Sequence, residues 1–224
     1  VKTYHFDQGT PEWYAARLGI PTASEFSRII TAAKGDISKS APKYAHQLVA
    51  ETLLGRPIEK PTVNSWAMQR GKELEPLARA AYAEAHKVTV DQVGFVTTDC
   101  GRIGCSPDGL VRGIRRGLEI KCVLDDSHVG IWADGPGDDY KQQIQGSMAI
   151  AELDEWDLWA WHPELPPVLI RTTRDEPYIT KMRGALTEFL KIRDAMLARA
   201  RETNWRPRPA QPVPATFAAL KVAA

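Results

Sequence analysis

Apolar positions along the chain recur at two periods, and the switch between them marks its organisation. Up to His86 the spacing is helical, from Val93 to Val123 it runs as short apolar stretches, and beyond Asp139 helix and strand take turns. Residues 1–9 read as an extended lead-in. Thr10 and Pro11 open a short helix carrying Trp13, Tyr14 and Leu18, closed by Gly19. Thr22-Ala23-Ser24-Glu25 has the form of a capping box and predicts a second helix to about Ile30. A polar loop from Lys34 to Pro42 precedes a helix over Lys43–Leu54, stopped by Gly55-Arg56-Pro57. Asn64 to His86 is the longest helical pattern before the strands, with Leu74, Leu77, Ala78, Ala81, Tyr82 and Ala85 as its inward stripe. Pro76 has no N–H for the carbonyl of Lys72, which predicts a kink or a restart.

Val93–Thr98, Arg102–Val111 and Leu118–Val123 read as strands. Asp139 to Ala151 is helical, with Tyr140, Ile144, Met148 and Ala151 on one side. Trp156–Trp161 and Val168–Thr173 are apolar on both faces, as central strands covered by helices are. Asp175-Glu176-Pro177 caps a helix to about Arg201 that turns Ile179, Met182, Leu186, Phe189 and Ile192 inward. Residues 1–203 are thus expected to form one domain. Residues 204–224 are a Pro/Ala-rich tail, expected to be flexible, with Phe217, Leu220 and Val222 available to dock on a partner.

The chemistry concentrates in Ile103–Val111 and Gly117–Cys122. Pro107-Asp108-Gly109 should bulge or end the first strand, because Pro cannot donate to a ladder and Gly tolerates unusual φ. In the second strand Glu119 and Lys121 lie two apart and share a face, while Leu118, Ile120 and Cys122 fill the other. A hairpin-like return can bring the Asp108 and Glu119 carboxylates together. Two such charges about 4 Å apart repel by roughly 4 kcal/mol at an effective dielectric near 20, which would push one to protonate. A divalent cation held by oxygens removes that cost; Mg²⁺ typically takes one or two carboxylates plus waters and phosphates. Lys121 could then orient a water or stabilise charge on a phosphate. The plainer alternative is a hairpin whose Glu119 and Lys121 merely pair on a solvated face. Glu75 likewise has a plain role, an i,i+4 pair with Arg79.

Composition narrows the partners. A chain of 224 residues, 43% hydrophobic and 25% charged, is long enough for a full core and soluble in character. Its net charge of +1 gives no global attraction to nucleic acid, so any anion must be held by a local basic surface. Three cysteines without paired spacing suggest reduced thiols in a cytoplasm. No stretch is apolar enough to span a membrane, and no signal-peptide core is seen at the start. Walker, G-x-G-x-x-G, H-E-x-x-H and G-x-S-x-G motifs are absent. Cys100, Cys105, Cys122 and His128 fit no common zinc spacing, and Cys105 and Cys122 read as packing residues. Most of the seven tryptophans sit at core-like positions.

Ser106-Pro107-Asp108-Gly109-Leu110 together with Leu118-Glu119-Ile120-Lys121-Cys122 resembles the PD-(D/E)xK nuclease superfamily. More narrowly, the chain resembles the phage lambda exonuclease family of recombination enzymes. The likeness runs from about Pro11 to about Arg199. It includes Arg17-Leu18-Gly19, Thr22-Ala23-Ser24-Glu25, Arg70-Gly71-Lys72-Glu73-Leu74-Glu75 and Gln143-Ile144-Gln145-Gly146-Ser147-Met148 in family order. The resemblance implies an α/β fold, a central mixed β-sheet flanked by helices with a restriction-endonuclease-like core.

It also implies a Mg²⁺-dependent 5′→3′ exonuclease that degrades one strand of double-stranded DNA from its end and leaves a 3′ overhang. Asp108, Glu119 and the Ile120 carbonyl would hold metal, with Glu75 helping to hold a second ion; Mn²⁺ would be able to substitute. Lys121 would position the attacking water, with Gln143 beside it. Arg17, Ser24 and Lys34 fall where the family holds the 5′-phosphate, and Met68 where it places an apolar wedge at the duplex end. The implied partners are DNA ends, a phage single-strand annealing protein and two further copies in a trimeric ring, in a bacterial host or prophage setting. Two positions depart from the pattern: Arg70 stands where lambda exonuclease has an aromatic, and Lys34 replaces an arginine, losing bidentate geometry. The rival readings are an endonuclease of the same superfamily and a catalytically silent DNA-end-binding module. An iron–sulfur nuclease needs four cysteine ligands, and this chain has three cysteines.

Overall fold

The stretch around Pro107 decides the architecture, because the chain changes sheets there. In the computed structural model, which describes residues 1–58 and 66–203, the expected strand Arg102–Val111 is two strands. The first is β4 (Gly104–Cys105), the last strand of a three-stranded antiparallel sheet with β1 (Lys2–Tyr4) and β3 (Phe95–Thr97) in the order β1-β3-β4. The second is β5 (Gly109–Val111), which belongs to a five-stranded sheet. That sheet has the order β2-β5-β6-β7-β8, with β2 at Val90–Asp91, β6 at Arg116–Lys121, β7 at Glu155–Ala160 and β8 at Val168–Thr173. Only β6 and β7 run parallel, so the sheet is mixed, as expected. A parallel pair needs a long crossover, supplied by α4 (Asp125–Asp134) and α5 (Lys141–Ala151).

The helices largely follow the sequence pattern. Thr10 accepts a hydrogen bond from the Trp13 N–H and opens α1 (Pro11–Arg17). α2 (Ala41–Leu54) ends at Gly55, whose φ of 65° a side chain would resist. α6 (Glu176–Glu202) is capped by Asp175, which accepts from the Tyr178 N–H. Four expectations are corrected. The capping-box segment forms a 3₁₀ helix (Ala23–Arg28), not an α-helix, and the Thr22 side chain makes no cap bond because its hydroxyl meets Arg17 and Ser24. α3 (Trp66–His86) runs through Pro76 as one helix, so of the kink or restart expected there the restart does not occur. Of its expected stripe only Ala78 and Tyr82 are buried; Leu77 is 57% exposed and Ala85 also faces out, because α3 packs into the sheet cluster through Ala78 and Tyr82. β8 is an edge strand rather than a central one, and its Arg171 and Thr173 are exposed. The start of α3 at Asn64 and the tail 204–224 lie outside the described residues. Helix α4 was not anticipated: its apolar positions are too few to show a period, and Trp132 on it is 68% exposed.

Three apolar clusters hold these layers. One joins α2, α6, the 3₁₀ helix and the small sheet around Phe26, Leu48, Met182 and Phe189. The second packs α3 on one face of the large sheet through Tyr82, Leu118, Ile120 and Trp159. The third packs α5 on the opposite face through Ile144, Met148, Trp156 and Leu158. Gly117 lies under Trp156: a Cβ there would stand 2.3 Å from the indole. One charge is sunk in this arrangement. Asp157 on β7 is fully buried, accepts from Tyr82 Oη at 2.6 Å and from Arg171 at 2.8 and 3.0 Å, and faces Arg116 at 3.8 Å. Burial, then the Asp157 bond, pushes the Tyr82 phenol up to about 12. Removing one partner of such a buried network leaves uncompensated charge, at a cost of about 3–5 kcal/mol. Asp157→Ala should therefore lower the unfolding free energy by about that amount, read as a lower urea midpoint at unchanged slope; a loss within about 0.5 kcal/mol would show that the network is not holding α3 to the sheet.

Candidate active site

Pro107 offers no N–H, and the chain leaves the small sheet there. Asp108 then stands just before β5, and its N–H donates to the Leu118 carbonyl at 3.0 Å. Its carboxylate takes over where the ladder stops: Oδ2 accepts from the Ile120 N–H at 2.6 Å. In a strand the N–H and C=O of one residue point to the same edge, so the Ile120 carbonyl faces this side too. Glu119, 4% exposed, lies on the α5 face, where Lys121 Nζ donates to Glu119 Oε1 at 2.6 Å. The expected pairing of Glu119 with Lys121 is present, but on a buried face rather than a solvated one. On the other side Arg79 Nε donates to the Asp108 carbonyl at 2.8 Å and also pairs with Glu75. The plain helix role of Glu75 is thus realised, while its charge still reaches Asp108.

The electrostatics are those of crowded acids. Burial foremost, then the charges of Glu119 and Glu75, raise the Asp108 carboxyl well above the ordinary range. Burial works against the Lys121 ammonium, but Glu119 and Asp108 outweigh it and raise it. Asp108 Oδ1 and Glu119 Oε2 carry no hydrogen bond among the described residues. With the Ile120 carbonyl they make a set of hard oxygen donors suited to Mg²⁺ rather than to zinc. No three His, Cys, Asp or Glu side chains converge among the described residues, so an ion here would complete its shell with the carbonyl and water. Cys105 is a packing residue, its thiol pushed up to about 12 by burial.

Arg17, Ser24 and Lys34 are only partly brought together. Arg17 donates to Ser106 Oγ at 2.7 Å and Thr22 Oγ1 at 3.3 Å, with its guanidinium 4.1 Å from the Trp13 ring centre. Ser24 lies exposed beside Thr22, hydroxyl to hydroxyl at 3.4 Å. Lys34 stands exposed in the turn between Ile30 and Ile37, and among the described residues nothing bonds it to Arg17 or Ser24. Gln143 is half-buried on α5, and Met68 is 58% exposed in the first turn of α3. The sequence reading gave no site role to Ser106, Trp13 or Tyr140 and placed Arg79 only as the partner of Glu75; the contacts of Arg79 with Asp108 and of Tyr140 with Lys121 exist only in space. It also missed a latch on α3: Arg70 reaches the Val123 carbonyl at 3.2 Å and His162 Nε2 at 3.0 Å, with Asp125 on the same nitrogen at 3.0 Å.

A mixed sheet whose hairpin carries an acid at its mouth and Glu-x-Lys on its second strand has the core of a PD-(D/E)xK nuclease. The YqaJ-like viral recombinase domain matches residues 12–154, more than half of the chain, and the chain belongs to that family. It is similar to an alkaline exonuclease, LHK-Exo, from Laribacter hongkongensis: 31% identity, 87% of this chain and 98% of that one, TM-score 0.78. LHK-Exo in complex with dAMP matches over the same shares with a TM-score of 0.77. A phage related exonuclease from Haemophilus somnus 129PT shares the fold at 15% identity and a TM-score of 0.64, over 80% of this chain and 96% of that one. Comparison with curated proteins gives no match. No helix among the described residues is long and apolar enough to cross a membrane.

Asp108→Asn keeps an oxygen for the Ile120 N–H and removes one of the crowded charges. Because the Asp108 pKa is raised on folding, its contribution to stability is full below the unfolded value, about 3.9, and is lost as pH rises through the folded one. In chelator at neutral pH the variant should melt above the wild type, and Mg²⁺ should raise the wild-type Tm more than the variant's. Equal melting in chelator with equal response to Mg²⁺ would mean the acids are not crowded and hold no ion.

Proposed function

We propose that the chain is a Mg²⁺-dependent exonuclease that removes nucleotides 5′→3′ from one strand of a DNA duplex end and leaves a 3′ overhang for recombination. The observation that carries this reading is the junction of Asp108, Glu119, Lys121 and the Ile120 carbonyl at the mouth of one hairpin. The alkaline exonuclease relative, one of whose structures contains a nucleoside monophosphate, supports it. Asp108, Glu119 and the Ile120 carbonyl would hold Mg²⁺, with Glu75 toward a second ion, and Mn²⁺ as a similar hard cation would substitute. Such ions, when bound, lower the pKa of water and neutralise charge on the leaving oxygen. Lys121 orients the water and offsets negative charge at the phosphate; Gln143 assists the orientation. The water gives up a proton to solvent, its oxygen bonds to phosphorus, and the P–O3′ bond breaks as that oxygen takes up a proton. Asp108→Ala or Glu119→Ala should abolish hydrolysis of linear duplex in Mg²⁺ while leaving end binding. Lys121→Ala should slow single-turnover hydrolysis by about 10²-fold or more. Equal cutting of circular duplex would replace the exonuclease reading with an endonuclease one.

Arg17 supports an end pocket. Burial lowers its pKa against the nearby charges of Glu25 and Glu51, while among the described residues its side-chain hydrogen bonds go to the Ser106 and Thr22 hydroxyls, which leaves the guanidinium able to take an anion. With Ser24, and with Lys34 swinging in from its turn, it would hold the 5′-phosphate and set the next phosphodiester at Asp108; Met68 would wedge the duplex end. Digestion should start faster on 5′-phosphorylated than on 5′-hydroxyl ends, and Arg17→Ala should shrink the preference. Slowing of both ends alike would remove the pocket.

A net charge of +1 gives little non-specific hold on DNA, which a closed ring would supply by topology. Light scattering should give a mass near three chains; a monomer that still degrades long DNA without dissociating would exclude the ring. The overhang would pass to a phage single-strand annealing protein in the bacterial cytoplasm.

A further inference from the structure

Helix α3 carries Met68 in its first turn and Glu75 two turns later, yet no side chain on it before Ala78 is buried. Glu75 is fixed by Arg79, which also donates to the Asp108 carbonyl. The first turns are held by Arg70. Its guanidinium donates to the carbonyl of Val123, just past β6, at 3.2 Å, and meets Nε2 of His162, just past β7, at 3.0 Å. One arginine thus ties the start of α3 to the ends of both parallel strands. We propose that Arg70 is a positioning residue for the DNA end: its tie to His162 keeps the first turns of α3, and with them Met68, in place, and it holds only while the imidazole is neutral.

The surroundings of the ring give the reason. His162 is buried, and a neutral imidazole has one nitrogen with which to accept. Arg70 can only donate, so it needs Nε2 bare. The Glu164 N–H approaches Nδ1 at 3.2 Å, and Asp125 Oδ1 lies 3.0 Å from Nε2. A second proton leaves no acceptor for Arg70 or for the Glu164 N–H, sets two cations side by side, and satisfies Asp125 alone. Two more titratable groups face this corner. His128 on α4, its ring 5.7 Å from that of His162, is buried and donates from Nε2 to the Pro166 carbonyl at 2.9 Å. Cys122 at the end of β6 keeps its proton, since burial pushes the thiol up to about 11.

The proposal rests on the nuclease reading above, and binding without turnover separates the two. Anisotropy of a labelled duplex end, titrated with protein in chelator at pH 8 and at pH 6, reads engagement; digestion in Mg²⁺ reads KM and kcat. Across this window, where imidazole gains its charge, wild-type Kd and KM should each rise about tenfold, the scale of one lost hydrogen bond to a charged group. His162→Gln keeps an acceptor for Arg70 that takes no proton, so its Kd and KM should no longer depend on pH. Arg70→Leu should raise both constants at both pH values and lower kcat much less, because Glu75 is held separately. Asp125→Asn, at a side chain 82% exposed, removes the acid that favours the second proton and should move the rise to lower pH, whether or not a buried variant folds. His128→Gln should keep the wild-type profile. A rise that persists in His162→Gln, a rise that vanishes in His128→Gln, or wild-type binding by Arg70→Leu at pH 8 would each overturn the latch. Absence of hydrolysis with the pH-dependent binding intact would overturn the nuclease reading and leave the latch standing.

Discussion

The hydrogen bond from the Ile120 N–H to the Asp108 carboxylate is the constraint on which the rest of the site depends. It exists because Pro107 ends one sheet and the chain must begin another at Gly109. At that seam the backbone ladder is one partner short, and Asp108 fills the place with its side chain at 2.6 Å. The same bond leaves the other Asp108 oxygen without a hydrogen bond among the described residues, beside the strand that carries Glu119. Gly109 is required for the seam to close: a Cβ there would stand 2.2 Å from Val90, the strand that covers it. The site is therefore a consequence of how two sheets are spliced, and no separate loop has to be ordered to build it.

Two aspartates, Asp157 fully buried and Asp108 half-buried, show how environment divides a satisfied charge from a crowded one. Asp157 has no solvent exposure, yet a phenol and two arginines answer it, and it binds α3 and three strands together. Asp108 is answered by one amide and a lysine shared with Glu119, and it faces two further acids. The first charge is satisfied, so its removal costs stability. The second is unsatisfied, which burial makes expensive and which a cation would relieve.

Helix α5 links the 3₁₀ helix to Lys121 because one glycine lets it approach closely. A Cβ on Gly146 would stand 2.5 Å from the Phe26 ring, so the 3₁₀ helix lies directly on α5. Ser24 and Thr22 sit on that 3₁₀ segment and its entry, while Tyr140 at the other end of α5 touches Lys121. Arg17 reaches Ser106, two residues from Asp108, and closes the circuit from the other side.

Local pattern determined a good deal of this protein. Thr10 with Pro11, Gly55 and Asp175 mark helix ends through backbone groups that only nearby residues can satisfy, and all three act as read. Alternation put Glu119 and Lys121 on one face and Leu118 and Ile120 on the other, since a strand leaves no other choice. The Pro-Asp-Gly signal located the break, but whether it bulged a strand or ended one depended on which sheet captured each half. Tertiary structure alone decided the edge position of β8, the exposure of Leu77, the existence of α4 and the 3₁₀ form of residues 23–28. Each of these depends on which surface lies opposite, and a one-dimensional pattern records what a residue prefers to bury without naming the partner. The contact of Arg79 with Asp108, that of Tyr140 with Lys121 and the latch from Arg70 to His162 were invisible for the same reason: they join residues 19 to 92 positions apart, brought near only by the folded sheet.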